Sequence, residues 1–106
     1  MKKFRVKVER VDEYEIEFDE NIINQDFIRD YKEFFSDIET LEEHAENIAI
    51  FRARFGERFI EGYGNPMVNG RNPFMVKEED VEKGINIRVI SEDDFDNMHT
   101  EVKEII

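Results

Sequence analysis

Near the start of the chain, apolar and polar positions alternate in two successive runs. Phe4, Val6 and Val8 take one side of residues 3–10, and Lys3, Arg5, Lys7 and Glu9 the other. Tyr14, Ile16 and Phe18 repeat the pattern, with Glu13, Glu15, Glu17 and Asp19 opposite. A period of two predicts half-buried strands. Facing residues of an antiparallel pair share one side of the sheet. A two-residue turn at Val11-Asp12 would pair Val8 with Glu15 and mix the faces. A three-residue loop at 11–13 pairs Val8 with Ile16 and Val6 with Phe18, and sets Lys7 opposite Glu17 and Arg5 opposite Asp19. The expectation is an N-terminal hairpin in which part of the second strand's acidity is neutralised.

The period then changes to that of a helix. Asn24 suits an N-cap for a helix over about 25–37. At about 100° per residue, Phe27, Ile28, Tyr31, Phe34, Phe35 and Ile38 share a broad apolar side. Asp26, Asp30, Glu33 and Asp37 fall on another side at spacings of four, three and four. A second helix is predicted from Thr40, where Thr-Leu-Glu-Glu has the form of a capping box closed by Glu43. It should end near Phe55, with Gly56 just beyond. Leu41, Ala45, Ile48, Phe51 and Phe55 form its apolar side. Glu42, Glu43, Glu46 and Ile50 point away.

Residues 58–68 and 74–76 read as strands around Asn69-Gly70, a dipeptide suited to a type I′ turn. Residues 85–91 read as a strand with Ile85, Ile87 and Val89 inward, and residues 100–105 as a last one. The fold class that follows is α+β in one domain, residues 1–106. A mostly antiparallel sheet, made of the N-terminal hairpin and three or four C-terminal strands, is covered by two consecutive helices.

Charge changes this picture more than composition does. The chain has a formal net charge of −12 and no cysteine, and its charge is uneven. Residues 1–8 hold four bases and no acid, and residues 9–46 fifteen acids and three bases. Residues 47–77 hold five bases and two acids, and residues 78–106 ten acids and three bases. Direct binding to nucleic acid is opposed by phosphate repulsion. The opening MKKFRVKVER lacks the apolar run of a signal peptide, and no stretch nears the ~20 apolar residues of a membrane helix. A cytoplasmic protein without membrane contact is expected.

Catalytic and metal motifs are missing from the pattern. Asp93, Asp94 and Asp96 crowd one loop, but without the glycine and distant glutamate of an EF-hand. His44 and His99 share no zinc-type spacing, and Ser36 and Ser91 have no nucleophile-elbow context. No enzyme activity, metal or cofactor is expected. The acidic row remains. Like charges at (i, i+4) cost a helix roughly 0.2–0.5 kcal/mol per pair, and successive row residues rise by about 4.5–6 Å. That pitch is loosely comparable to that of duplex DNA, which carries one charge per about 3.4 Å of axis along each strand. Carboxylates so placed suit a Lys/Arg groove built for phosphates.

At KKFRVKVERVDEYEIEFDE, the helix pair, FIEGYGNP and INIRVISEDD, the chain resembles small acidic proteins carried by phages and mobile elements of low-GC bacteria, some of which act as anti-CRISPR proteins against Cas9. The resemblance implies a protein that binds a nuclease and blocks its nucleic-acid channel, with no individual residue carried over. Combined with the charge pattern, it leads to the expectation of a non-enzymatic inhibitor that mimics DNA. Its partner would be a basic nucleic-acid-binding protein, Cas9 among the candidates. Its binding residues would be Asp26, Asp30, Glu33, Asp37, Glu42, Glu43 and Glu46, joined by Asp93, Asp94 and Asp96, on a monomer or weak dimer. The alternative is an interaction module that uses the sheet edge near Tyr63, Met67 and Phe74, with acidity serving only solubility.

Overall fold

A computed structural model describes residues 1–92 and 99–105. It is α+β, as the pattern predicts. The order is β1 (Lys3–Glu9), β2 (Glu13–Phe18), α1 (Gln25–Phe34), α2 (Leu41–Phe55), β3 (Asn65–Val68), a 3-10 turn (Glu78–Asp80), β4 (Val81–Ser91) and β5 (His99–Ile105).

The expected N-terminal hairpin is not formed. β2 pairs antiparallel with β4, setting Tyr14 opposite Val89, Ile16 opposite Ile87 and Phe18 opposite Ile85. β1 pairs antiparallel with β5 instead, in a separate two-stranded sheet. Magnitudes explain the outcome. Pairing with β4 lets the apolar side of β2 cover Ile85 and Ile87, which are fully buried, each worth about 1.5–3 kcal/mol. The Lys7–Glu17 and Arg5–Asp19 pairs of the hairpin would have been surface ion pairs, worth about 0.2–1 kcal/mol each.

β3 lies on the other side of β4 and runs parallel to it. Asn69 and Gly70 both take positive φ (53° and 74°), and Val68 and Arg71 exchange backbone hydrogen bonds across them. This is the expected tight turn. It closes only a single bridge, however, and no strand forms at 74–76.

The helix ends follow their sequence signals at three of four places. Asn24 accepts from the Phe27 N–H at 3.1 Å. The Thr40 hydroxyl accepts from the Glu43 N–H and donates to the Glu43 carboxylate, both at 3.1 Å. Gly56 closes α2 in the left-handed conformation. The fourth end departs: α1 stops at Phe34, not near 37. The Ile38 N–H bonds the Ser36 carbonyl at 2.8 Å, forming a tight turn where the next helical bond would be. Ser and Asp favour such local alternatives to helix. Phe34 and Phe35, expected inside, are therefore exposed.

The core is Ile23, Tyr31, Ile48, Ile60, Tyr63, Ile85 and Ile87, with Phe27, Ile38, Leu41 and Phe51 packed around it. Its one buried polar side chain among the described residues is His44. The Tyr63 hydroxyl lies 2.6 Å from His44 Nδ1, and Asn47 donates to the hydroxyls of Tyr31 and Tyr63 at 3.1 Å each. His44 Nε2 is buried with no hydrogen-bond partner. The ring instead meets Phe27, Tyr31 and Tyr63 in edge-on contacts with centroids 4.8–5.7 Å apart.

Burial lowers the His44 pKa from its ordinary 6.5, against a smaller opposite pull from Glu43. The unfolded chain then binds the proton more tightly than the folded one. The imidazole's share of stability is complete above pH 6.5 and is lost as pH falls below it. In urea titrations of wild type and His44→Gln between pH 7.5 and 5, only wild type should show this slope. The difference between the two curves removes carboxylates such as Glu82, whose pKa burial raises.

β1 and β5 pair only with each other, in a sheet apart from that of β2, β4 and β3. Every residue of β1 is exposed. The molecule measures 58 × 30 × 21 Å, with a radius of gyration of 17.5 Å, against about 13 Å for a compact domain of this length. An arm thus projects from the body. At its root, Glu92 accepts from Arg52 at 2.9 Å and from the Tyr14 hydroxyl at 2.8 Å. Burial alone would raise the Glu92 pKa, but these two hydrogen bonds outweigh it and hold the carboxylate ionised.

Candidate binding surface

α1 presents Asp26, Asp30 and Glu33 to solvent, as its apolar face, led by Ile28 and Tyr31, turns inward. Asp37 is also exposed, but it lies in the connection after the helix and does not continue the helical row. α2 exposes Glu42, Glu43 and Glu46, while His44 and Ile48 go to the core. Glu42 and Glu43 occupy the first turn, where the helix dipole favours negative charge, and the Glu43 carboxylate also accepts from the Thr40 hydroxyl. Both therefore have a structural reason to be there. Asp93, Asp94 and Asp96 lie outside the described residues.

The row is not bare. Arg29 reaches Asp26 at 3.1 Å and Asp30 at 3.9 Å. Lys32 reaches Asp37 at 3.4 Å and also pairs with Glu39. Glu39 and then Asp37 raise the Lys32 pKa. Glu39, which the helical row did not include, thereby joins the acidic group through Lys32. Glu33, Glu42 and Glu46 make no ion pair among the described residues. From Asp26 to Glu46 the chain holds eight carboxylates and two cations, and all eight carboxylates are exposed. Two shared, solvent-exposed bases do not neutralise eight acids, and each such bridge is worth only about 0.2–1 kcal/mol.

Phe34 stands 73% exposed at the end of α1, between Glu33 and Asp37 in sequence. A large apolar side chain amid charges resembles the core and rim of a protein interface. The sequence pattern placed Phe34 inside because it assumed another helical turn.

Losing the hairpin also changes the electrostatics of the strands. The outward acids of β2 face β4 residues: Glu15 meets Arg88 at 3.7 Å, and Glu17 accepts from Asn86 at 2.8 Å. The bases of β1 are left on the arm. Residues 10–92 carry twenty-one acids and ten bases, whereas residues 1–9 and 99–105 carry five bases and three acids. The body is acidic and the arm is mildly basic.

At the alternative site, Phe74 and Met75 are exposed beside an open cleft of about 680 Å³ lined by Gly56, Glu57, Arg58, Phe59, Asn65, Met75 and Val76. Tyr63 is buried in the core network, not on an edge. Among the described residues, no cluster of three or more His, Asp or Glu side chains is arranged to hold a metal ion, and no helix is long and apolar enough to cross a membrane. Comparison with known protein families, with curated proteins and with solved structures yields no match.

Proposed function

We propose that this protein is a non-enzymatic acidic inhibitor that occupies the basic groove of a nucleic-acid-binding protein, with a CRISPR-Cas or other host defence nuclease as the expected target. One observation carries the reading: the eight exposed carboxylates against two cations between Asp26 and Glu46. The internal bridges are consistent with it. A groove lined by arginines can replace the shared, exposed contacts of Arg29 and Lys32 at little cost, because such pairs are weak. An acidic surface is steered quickly to a basic channel. A channel shaped for phosphates has little means of rejecting carboxylates without weakening its hold on its own substrate. Exposed Phe34 would add an apolar anchor that a phosphate backbone lacks.

The test is affinity capture from a bacterial lysate on the immobilised protein. The reading expects a nucleic-acid-binding protein that elutes as salt rises and that free duplex DNA or guide RNA displaces. Captured proteins that stay bound in high salt and ignore added nucleic acid would instead favour the interaction module at the Phe74–Met75 cleft.

A further inference from the structure

A cleft of about 280 Å³ lies where the end of α1, the middle of α2 and the turn at Ile60 meet. Tyr31, Phe35 and Phe51 give it aromatic walls. Phe35 lays one face on Tyr31, with centroids 5.0 Å apart, and is 51% exposed, so part of its ring stays open. The polar lining consists of Ser36, Asn47 and the exposed Glu61. Both N–H groups of Asn47 are engaged, with the hydroxyls of Tyr31 and Tyr63. Its carbonyl oxygen is therefore left to accept, and it takes no hydrogen bond among the described residues. Glu61 makes no ion pair among the described residues, and none of the described residues lining the cleft is a base.

This lining selects a ligand by chemistry. An anion would meet Glu61 with no cation to offset it. A neutral apolar group would take Glu61 and the Asn47 carbonyl out of water without giving either a donor. A cation supplies the donors and is attracted to the face of an aromatic ring. An ammonium is compact and strongly hydrated. A guanidinium is planar and weakly hydrated, stacks on aromatic faces and carries five donors in a rigid fork.

We propose that this cleft receives an arginine side chain of the partner, with the guanidinium against Phe35 and Phe51 and its N–H groups on Glu61 and Asn47. The source of the arginine rests on the inhibitor reading, and the place fits it. The cleft borders the end of α1 at which Glu33 and Phe34 are exposed. A phosphate-binding groove is a place where arginine is over-represented. The acidic row attracts any cation, whereas the cleft adds a shape that distinguishes arginine from lysine.

The test is an NMR titration of this protein alone with N-acetyl-arginine methylamide, in salt of about 0.15 M to screen the exposed carboxylates. Saturable shifts should appear at Ser36, Asn47 and Glu61. The matching lysine derivative should bind more weakly. The citrulline derivative, similar in shape but uncharged, should leave the cleft unchanged. Glu61→Gln alters an exposed side chain, so the fold should persist, and affinity for the arginine derivative should fall by about threefold or more. The captured partner should lose affinity for this variant as well. Absent shifts at the cleft, equal shifts with citrulline, or shifts that spread along α1 without saturating would overturn the site. A Glu61→Gln protein that loses the arginine derivative but keeps the partner's full affinity would overturn the assignment to the partner. No partner enters the titration, so the cleft can fail while the inhibitor reading stands, and the reverse.

Discussion

Gly62→Ala should lower the thermal midpoint by about 8 °C or more. Gly62 has φ +88°, and a Cβ there would lie 2.5 Å from Tyr31 Cε2. Two costs add. A non-glycine residue in the left-handed region costs roughly 1–2 kcal/mol, and forcing a methyl into a packed core costs typically 1–3 kcal/mol. Tyr31 has little room to retreat, because its ring stacks against Tyr63 at 4.9 Å and Phe35 at 5.0 Å and meets His44 edge-on at 4.8 Å. The total, about 2–5 kcal/mol, is a large part of the 5–15 kcal/mol available to a domain. Each kcal/mol shifts the midpoint by about 4–8 °C at this size. Gly70→Ala is the control. It has a similar φ of +74° but nothing within 4 Å, so it should show only the backbone cost. Calorimetry of the two variants beside wild type checks the claim, and equal shifts would refute the steric half of it.

The second large effect is on binding. Asp30→Lys with Glu33→Lys should weaken the captured partner by about 100-fold or more while leaving the thermal midpoint nearly unchanged. Both side chains are exposed on α1. Asp30 makes only a 3.9 Å contact with Arg29, and Glu33 makes none among the described residues, so the fold depends little on either. For the complex, the reversal changes the local charge by four and places two ammonium groups in a groove lined with cations. Like charges brought together at an interface cost several kcal/mol, and about 2.7 kcal/mol corresponds to 100-fold. Paired titrations of wild type and variant in one buffer measure the loss. An unchanged affinity would remove the acidic row from the interface.

The parts legible in the sequence were those fixed by neighbours. Asn24, Thr40, Gly56 and Asn69-Gly70 each act within a few residues, and the structure keeps all four signals, although the Glu43 carboxylate meets the Thr40 hydroxyl and not its backbone N–H. Strand pairing was not legible, because it is a competition between partners far apart in the chain. Alternation assigned Val6 and Val8 correctly to one side of a strand, but it could not show that β2 would find Ile85, Ile87 and Val89 and leave β1 to β5. The charge match of Lys7 with Glu17 pointed the wrong way, since exposed ion pairs are too weak to outweigh buried isoleucines. The same limit acted on the candidate surface. Asp26, Asp30 and Glu33 share the exposed side of α1 as the period required, but Asp37 does not, because the turn at Ser36 ends the helix early. That turn also brought Phe34 into solvent and Glu39 to Lys32, neither of which periodicity alone could give. His44 is not among the apolar positions that the helical period picks out on α2, yet it is fully buried. Its place depends on the hydroxyl of Tyr63, nineteen residues away.

Whether the carboxylates of α1 and α2 take the place of phosphates can be tested by exclusion. With the captured partner labelled, duplex DNA should be titrated into its complex with this protein and both ligands followed. Mutual displacement, with an apparent affinity for each that falls in proportion to the concentration of the other, is the predicted result. A stable ternary complex holding partner, DNA and this protein together would contradict it.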